Sequence, residues 1–383
     1  MKIVIALPHL TRLGGAARYA WELGEFMHDK KDEIIITSLY ADDELYNSKK
    51  FKIINLVDRN FLPQSIKFWL NLSKIQKKFS DIIEDEKPDI ILFNHFPCTL
   101  WAKKFKNIPV LCYPHDIELL FSDTYIKDLS FFTRTLWRII RIFVQQYDKK
   151  RWKEFDEVIA NSNYSAKTIS QSYDVMPSVI YPGTNTSVFR PIEKNLDEKT
   201  ILVNADNRVR RAHFALKNLK KLLHKRQDFK IWVVGHNPTY DRELKELVKK
   251  EKMEKFVTFF GRVSDSKLRE LYAKAHIFLM LQRKQPFGLV FIEAMSSGTP
   301  VIACKPGAPE EVLNHGETGF VFDQYDGDEM NQFVERILDN PELSVSMGQK
   351  GRQRVEENFE STAQYEKLRN LMDSWIKKQK NIM

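Results

Sequence analysis

Short apolar runs recur along the whole chain, each followed by a polar break. In the first half they are KIVIAL (2–7), EIIITSLY (33–40), DIILFN (89–94), VLCY (110–113) and EVIAN (157–161). In the second half they are TILVN (200–204), KIWVVG (230–235), KFVTFFG (255–261), IFLML (277–281), PVIAC (300–304) and GFVFD (319–323). Between most of them lie stretches with helical spacing of apolar positions, such as 17–27, 241–250 and 265–275. Unbroken β-branched runs alternating with amphipathic helices predict parallel sheets covered by helices on both faces. The run pattern restarts at Thr200 after a polar, proline-containing stretch without apolar periodicity. The expected organisation is therefore two doubly wound α/β domains, 1–190 and 200–360, joined by a linker at 191–199. Residues 361–383 read as one amphipathic helix packing back towards the first domain. Ligands of doubly wound sheets bind at strand carboxyl ends, so an interdomain cleft is the expected active site.

With 43% hydrophobic and 29% charged residues, the chain has material for two cores, which excludes disorder as its main state. Lys+Arg exceed Asp+Glu by 60 to 51, a net +9 that favours anionic partners without choosing among them. Cys98, Cys112 and Cys304 are scattered and form no CxxC, so neither a disulfide framework nor a structural zinc site is expected. The apolar run at the start, Ile3 to Leu7, is too short for a signal peptide or a membrane span. The expected location is the cytoplasm, with attachment to the cytoplasmic face of a membrane left open.

Two segments carry chemistry. In PHLTRLGGAARY (8–19), Gly14 and Gly15 precede a helix, where backbone can approach a phosphate or sugar. The alternative is a plain strand–helix turn, because neither GxGxxG nor GxxxxGK[ST] is present. The second segment is 285–323, where Gly288 opens a helix and Glu293 lies within it among apolar neighbours. A buried acid needs a partner, from the protein or from a ligand. Residues 326–328 (DGD) resemble a metal-binding D-x-D, but they precede a helix, and Asp328 reads as its N-cap. His95 reads as a satisfied structural histidine. Segment 131–153 combines an apolar arc with Arg134, Arg138, Arg141 and Gln145 on one face. It is either a core helix or a helix at an anionic membrane surface, and 60–79 has the same basic and aromatic character.

QPFGLVFIEAMSSGTPVIACKPGAPEEVLNHGETG resembles the nucleotide-binding segment of the retaining family 4 glycosyltransferases, which have the GT-B fold. GGAAR (14–18), PHD (114–116), VIANSNYS (158–165) and YPGTNTSVFRP (181–191) extend the resemblance over nearly the whole chain. The resemblance implies that Glu293 binds the donor ribose. It implies that Phe287, Gly288, Leu289 and Val290 bring amides to sugar hydroxyls and phosphate. Gln285 stands where the family has the first glutamate of a pair eight residues apart, which touches the donor sugar. It keeps hydrogen-bonding capacity but lacks the carboxylate. Lys217 resembles the lysine that neutralises the diphosphate. The family's phosphate arginine has no direct counterpart, since Ala212 stands five residues before Lys217; Arg208, Arg210 and Arg211 are candidates, and Arg211 is favoured. His115 would lie beside the transferred sugar, and Gly14 and Gly15 would close on the phosphates.

The expected activity is transfer of a hexose, mannose or glucose, from a nucleotide-diphosphate sugar to a saccharide or lipid-linked acceptor in glycan or cell-envelope synthesis. Cations and helix N-termini would stabilise the leaving diphosphate, so no metal and no cofactor are expected. Two alternatives stay open: a same-fold nucleotide-sugar epimerase, and a nucleotide-sugar-binding protein with lost catalysis. No recognition motif supports nucleic acid as a partner.

Overall fold

The computed structural model describes residues 1–10, 14–41, 50–57, 66–94, 96–115, 131–195 and 197–382. His95, Asp116 and residues 60–65 therefore lie outside the described residues. The chain divides into two compact units, Met1–Tyr181 with Gln364–Met383, and Pro182–Ala363.

The first unit runs β1 (Lys2–Leu10), α1 (Gly15–Asp29), β2 (Glu33–Ala41), β3 (Lys52–Asn55), α2 (Ile66–Glu86), β4 (Ile90–Phe93), β5 (Val110–Cys112), α3 (Phe131–Trp152), β6 (Glu157–Ala160), α4 (Asn163–Tyr173) and β7 (Ser178–Val179). A 3₁₀ turn, Cys98–Trp101, follows β4. Its sheet has the order β3-β2-β1-β4-β5-β6-β7, and its named pairings are parallel. Alternation of side chains within the apolar runs builds two layers. Val4, Ala6, Ile91 and Phe93 face Phe68 and Phe79 of α2. Ile3, Ile5, Ile90 and Leu92 face Tyr19, Leu23 and Met27 of α1. Both faces are buried, which is why these strands read as continuous apolar runs. β3 and β7 escape the pattern because they are short edge strands whose side chains are half-buried or, at Lys52, exposed.

The second unit runs β8 (Lys199–Asn204), α5 (Ala212–Leu223), β9 (Phe229–Val234), α6 (Pro238–Lys250), β10 (Val257–Gly261), α7 (Asp265–Lys274), β11 (Ile277–Met280), α8 (Leu289–Ser296), β12 (Val301–Lys305), α9 (Pro309–Val312), β13 (Gly319–Asp323), α10 (Gly327–Leu338) and α11 (Pro341–Asn358). Its parallel order is β10-β9-β8-β11-β12-β13, with the switch point between β8 and β11.

The unit begins at Pro182, earlier than composition indicates, because long-range hydrogen bonds fasten the chain there. Thr184 N donates to Phe359 O at 2.9 Å, and Arg352 Nη1 donates to the carbonyls of Thr186, Phe189 and Ser296. The polar stretch 191–199 is also held: Lys194 Nζ donates to Ala275 O, Gly298 O and Thr299 Oγ1 at 2.7–2.9 Å. The last helix, α12 (Ser361–Ile382), belongs mainly to the first unit. Tyr365, Leu368, Met372 and Ile376 join the layer with Tyr19 and Leu23, and Arg369 donates to Asp32 at 2.8 Å.

Candidate active site

In the second unit, Gln285, Phe287, Gly288, Leu289, Val290 and Glu293 form one continuous loop and helix start. Gly288 is the N-cap of α8 with φ 93° and provides no side-chain cap. The first amides of a helix have no intrahelical acceptor, so those of Leu289 and Val290 stand at a positive helix end. Both side chains are half-buried there. Glu293 follows Leu289 by four residues, on the same helix face, and is 2% exposed. Gln285 is 7% exposed, and its Oε1 has no hydrogen-bond partner among the described residues. A buried acceptor left alone costs about 1–3 kcal/mol, so a polar ligand group at this position would relieve it. The loop is braced by the segment that follows β12: Ala308 N donates to Gln285 O and Lys284 N to Pro306 O, both at 2.9 Å. Phe287, 2% exposed, packs edge-on against Phe359 at 5.8 Å.

The basic segment between β8 and α5 lies against the end of β11. Arg211 caps α5 in a left-handed conformation, φ 58°, and its Nη1 donates to Gln324 O at 2.8 Å and to Leu281 O at 3.4 Å. The guanidinium also lies over Phe214, 4.2 Å from the ring centroid. Arg210 Nη1 donates to Gln282 Oε1 at 2.9 Å. Arg208 pairs with Glu243 and lies over Tyr240. Arg211 and Arg210 therefore stand at the switch point, each holding protein acceptors. Lys217, the sixth residue of α5, is exposed, and its charge acts on His213 together with those of Arg211 and Arg208. At that start, Tyr240 Oη accepts from His213 N at 3.0 Å, and burial pushes its phenol up to about 12. Burial, then Arg211, Lys217 and Arg208, lower the pKa of His213.

The carboxylates of 326–328 are engaged otherwise than the sequence predicts. Asp326, not Asp328, caps α10, accepting from Asp328 N and Glu329 N. Asp328 lies inside the first turn and pairs with Lys221 at 2.8 Å. The reason is backbone geometry: two amides of the first turn converge on the residue one position before the helix. Among the described residues no group of three or more His, Cys, Asp or Glu is placed to hold a metal ion.

In the first unit, Gly14 is the exposed N-cap of α1 with φ 137°, and Gly15 is the first helical residue. Tyr19 follows one turn later and meets His115 edge-on at 4.8 Å. His115, just past β5, is half-buried, with Nε2 3.0 Å from Asn94 Oδ1. Sequence reasoning assigned no role to Asn94 or Asn161. Both close an apolar run at a strand carboxyl end, in ILFN and VIAN, and that position was the available signal. α3 buries Trp137, Val144, Asp148 and Trp152, while Ile142 and Phe143 remain 59% and 72% exposed. It is thus a core helix with an apolar outer face as well.

Comparison with known proteins agrees with this architecture. The family Glycosyltransferase Family 4 matches residues 13–188, and Glycosyl transferases group 1 matches residues 185–354. An uncharacterised glycosyltransferase of Haemophilus influenzae is 31% identical over 92% of this chain and 94% of its own length. Human alpha-1,3/1,6-mannosyltransferase is 26% identical over 75% of this chain and 73% of its own length. An Anabaena protein solved in complex with UDP-glucose superposes with a TM-score of 0.76 at 16% identity, covering 98% of this chain and all of that one.

Proposed function

The chain belongs to glycosyltransferase family 4 and has its two-domain GT-B architecture, and we propose that it is a retaining hexosyltransferase using a nucleotide-diphosphate sugar. The observation that carries this reading is the start of α8: two buried polar side chains, Gln285 and Glu293, flank the helix amides at Leu289 and Val290. Breaking the bond between sugar and diphosphate leaves negative charge on the diphosphate and positive character on the sugar. Helix amides and nearby guanidinium groups stabilise the first. In this reading Glu293 accepts from ribose hydroxyls, Gln285 contacts the donor sugar, and Arg210 and Arg211 provide the positive field. His115 contacts the transferred sugar. Asp326 and Asp328 already serve a helix cap and an ion pair, so the diphosphate is assigned to these groups without a metal. Mannose and glucose are the sugars to try first, given a mannosyltransferase relative and a structural neighbour solved with UDP-glucose.

The proposed acceptor is a saccharide or lipid-linked glycan presented at an anionic membrane surface, to which the first unit binds reversibly from the cytoplasm. α2 and α3 lie side by side, joined by Gln76 Nε2 donating to Tyr147 Oη at 2.6 Å. Leu70, Ile142 and Phe143 project from them, 74%, 59% and 72% exposed. Lys67, Lys74 and Lys78 of α2 and Lys149 and Lys150 of α3 are exposed as well, at helical spacing from these apolar groups. Segments 66–80 and 131–147 contain no acid, so charge and apolar surface together match an anionic leaflet. No described helix is long and apolar enough to cross a membrane.

The test is release of nucleoside diphosphate, followed by mass spectrometry, from a panel of nucleotide hexoses with saccharide and lipid-linked acceptors. Acceptor-dependent release with a glycosylated product is expected. Saturable donor binding without product would instead favour a binding protein, a reading motivated by Gln285 in place of the carboxylate. Neither binding nor product would overturn both.

A further inference from the structure

The loop before α8 presents a neutral polar group in a basic setting. Gln285 is 7% exposed, and its Oε1 has no hydrogen-bond partner among the described residues. Its backbone is clamped by the segment after β12, where a Cβ on Gly307 would stand 2.9 Å from Gln285 N. Its side chain lies against the helix start: a Cβ on Gly288 would stand 3.1 Å from Gln285 Nε2. Rotation of the carboxamide exchanges its two ends, and in either arrangement it offers one acceptor oxygen and two N–H donors.

Cations flank this position. Arg283 and Lys284 precede it directly, and residues 277–292 contain no acid. Lys305 ends β12, next to Pro306, whose carbonyl accepts from Lys284 N. All three cations are exposed, and none pairs with a carboxylate among the described residues. Arg283 donates instead to Tyr325 Oη at 3.0 Å. Burial lowers the pKa of Arg211, and the like charge of Arg283 lowers it further. The acids that follow are Glu310, whose Oε2 accepts from Gly307 N at 3.3 Å, and Glu293, one turn into α8 and assigned above to the ribose.

A neutral hexose offers hydroxyls, which a carboxylate and a carboxamide both bind. A negative charge on the sugar separates the two. A carboxylate at 285 would repel it, whereas a carboxamide donates to it, and the cations and helix amides stabilise it. We propose that the donor sugar is a hexuronate, whose carboxylate accepts from Gln285 Nε2 in the field of Arg283, Lys284 and Lys305, while Oε1 accepts from a sugar hydroxyl. This deepens the glycosyltransferase reading, on which it rests, by narrowing the hexose to an acidic one.

The test is titration calorimetry of the full chain with two matched donor pairs, UDP-glucose with UDP-glucuronate and GDP-mannose with GDP-mannuronate, and with UDP and GDP alone. In one pair the hexuronate should bind at least about tenfold more tightly than the neutral hexose. Gln285→Glu should abolish that preference through a loss of hexuronate affinity of about tenfold or more, since it sets two carboxylates side by side. Arg283→Gln with Lys305→Gln, both at exposed positions, should reduce the preference too, and this double variant carries the test if the Glu variant does not fold. Equal or tighter binding of the neutral hexose in both pairs overturns the proposal. So does a hexuronate preference that survives both Gln285→Glu and the double variant. Binding of UDP or GDP without any hexuronate preference would sink the hexuronate assignment alone, whereas no binding of either nucleotide or any donor would overturn the glycosyltransferase reading with it.

Discussion

Gly288→Ala tests whether the start of α8 is held by geometry that a side chain cannot share. Residue 288 has φ 93°, where an L-residue costs about 1–2 kcal/mol. A Cβ there would also stand 2.8 Å from Phe291 Cε2 and 3.1 Å from Gln285 Nε2. Phe291 is 0% exposed, so its ring cannot swing into solvent, and overpacking of this kind costs about 1–3 kcal/mol. The sum is ~2–5 kcal/mol. At about 2–4 °C per kcal/mol for a unit of this size, Tm should fall by roughly 4–20 °C. Gly316→Ala is the control, because Gly316 has φ 83° but nothing within 4 Å of its Cβ position. It should lose only the conformational part, ~1–2 kcal/mol. Thermal melts give the stabilities, and calorimetry with a nucleotide hexose reports the site. Donor affinity should fall in Gly288→Ala, whose shifted loop misplaces the amides of Leu289 and Val290, and should hold in Gly316→Ala. Equal losses of stability in the two variants, or donor binding unchanged in Gly288→Ala, would refute the reasoning.

Four further outcomes are expected. Glu293→Gln should weaken donor binding roughly 10- to 150-fold, since a charged acceptor is worth about 1.5–3 kcal/mol; unchanged calorimetric affinity would remove the ribose role. Asp148 is 1% exposed and accepts from Thr99, Trp152 and Tyr173, and burial raises its carboxyl to about 6. The folded chain thus holds this proton more tightly than the unfolded one, so its contribution is full below pH ~4 and is lost as pH rises to about 6. Urea melts should show wild type losing stability relative to Asp148→Asn across that window, and a constant difference would contradict the sign. EDTA should leave hexosyl transfer intact, whereas a strict divalent requirement would return attention to 326–328. The first-unit patch should sediment with anionic vesicles at low salt and release at high salt, and Ile142→Ser with Phe143→Ser should reduce binding; binding that ignores lipid charge would argue against it.

Much of this molecule could be read from one sequence because its governing interactions are local or periodic. Strands such as 3–7 and 277–281 are apolar throughout since both sheet faces are covered, and that pattern survives without knowledge of the partners. The α8 start is legible for the same reason: Gln285, Gly288 and Glu293 fall within nine consecutive residues, so helix geometry alone brings them together. Strands β3 and β7 were not legible, because they are only four and two residues long and bury no side chain fully.

Tertiary structure alone decided the arginines. Arg211 is directed to Gln324 O, 113 residues away, and Arg210 to Gln282, 72 residues away. No spacing rule connects those positions. It also decided that residues from Pro182 belong with the second unit, since the carbonyls that hold Arg352 carry no side-chain identity. The contact between Asn94 and His115 has the same origin. Two neighbouring parallel strands, separated in sequence by a crossover, bring their carboxyl ends side by side, and only the folded sheet defines which side chains meet there.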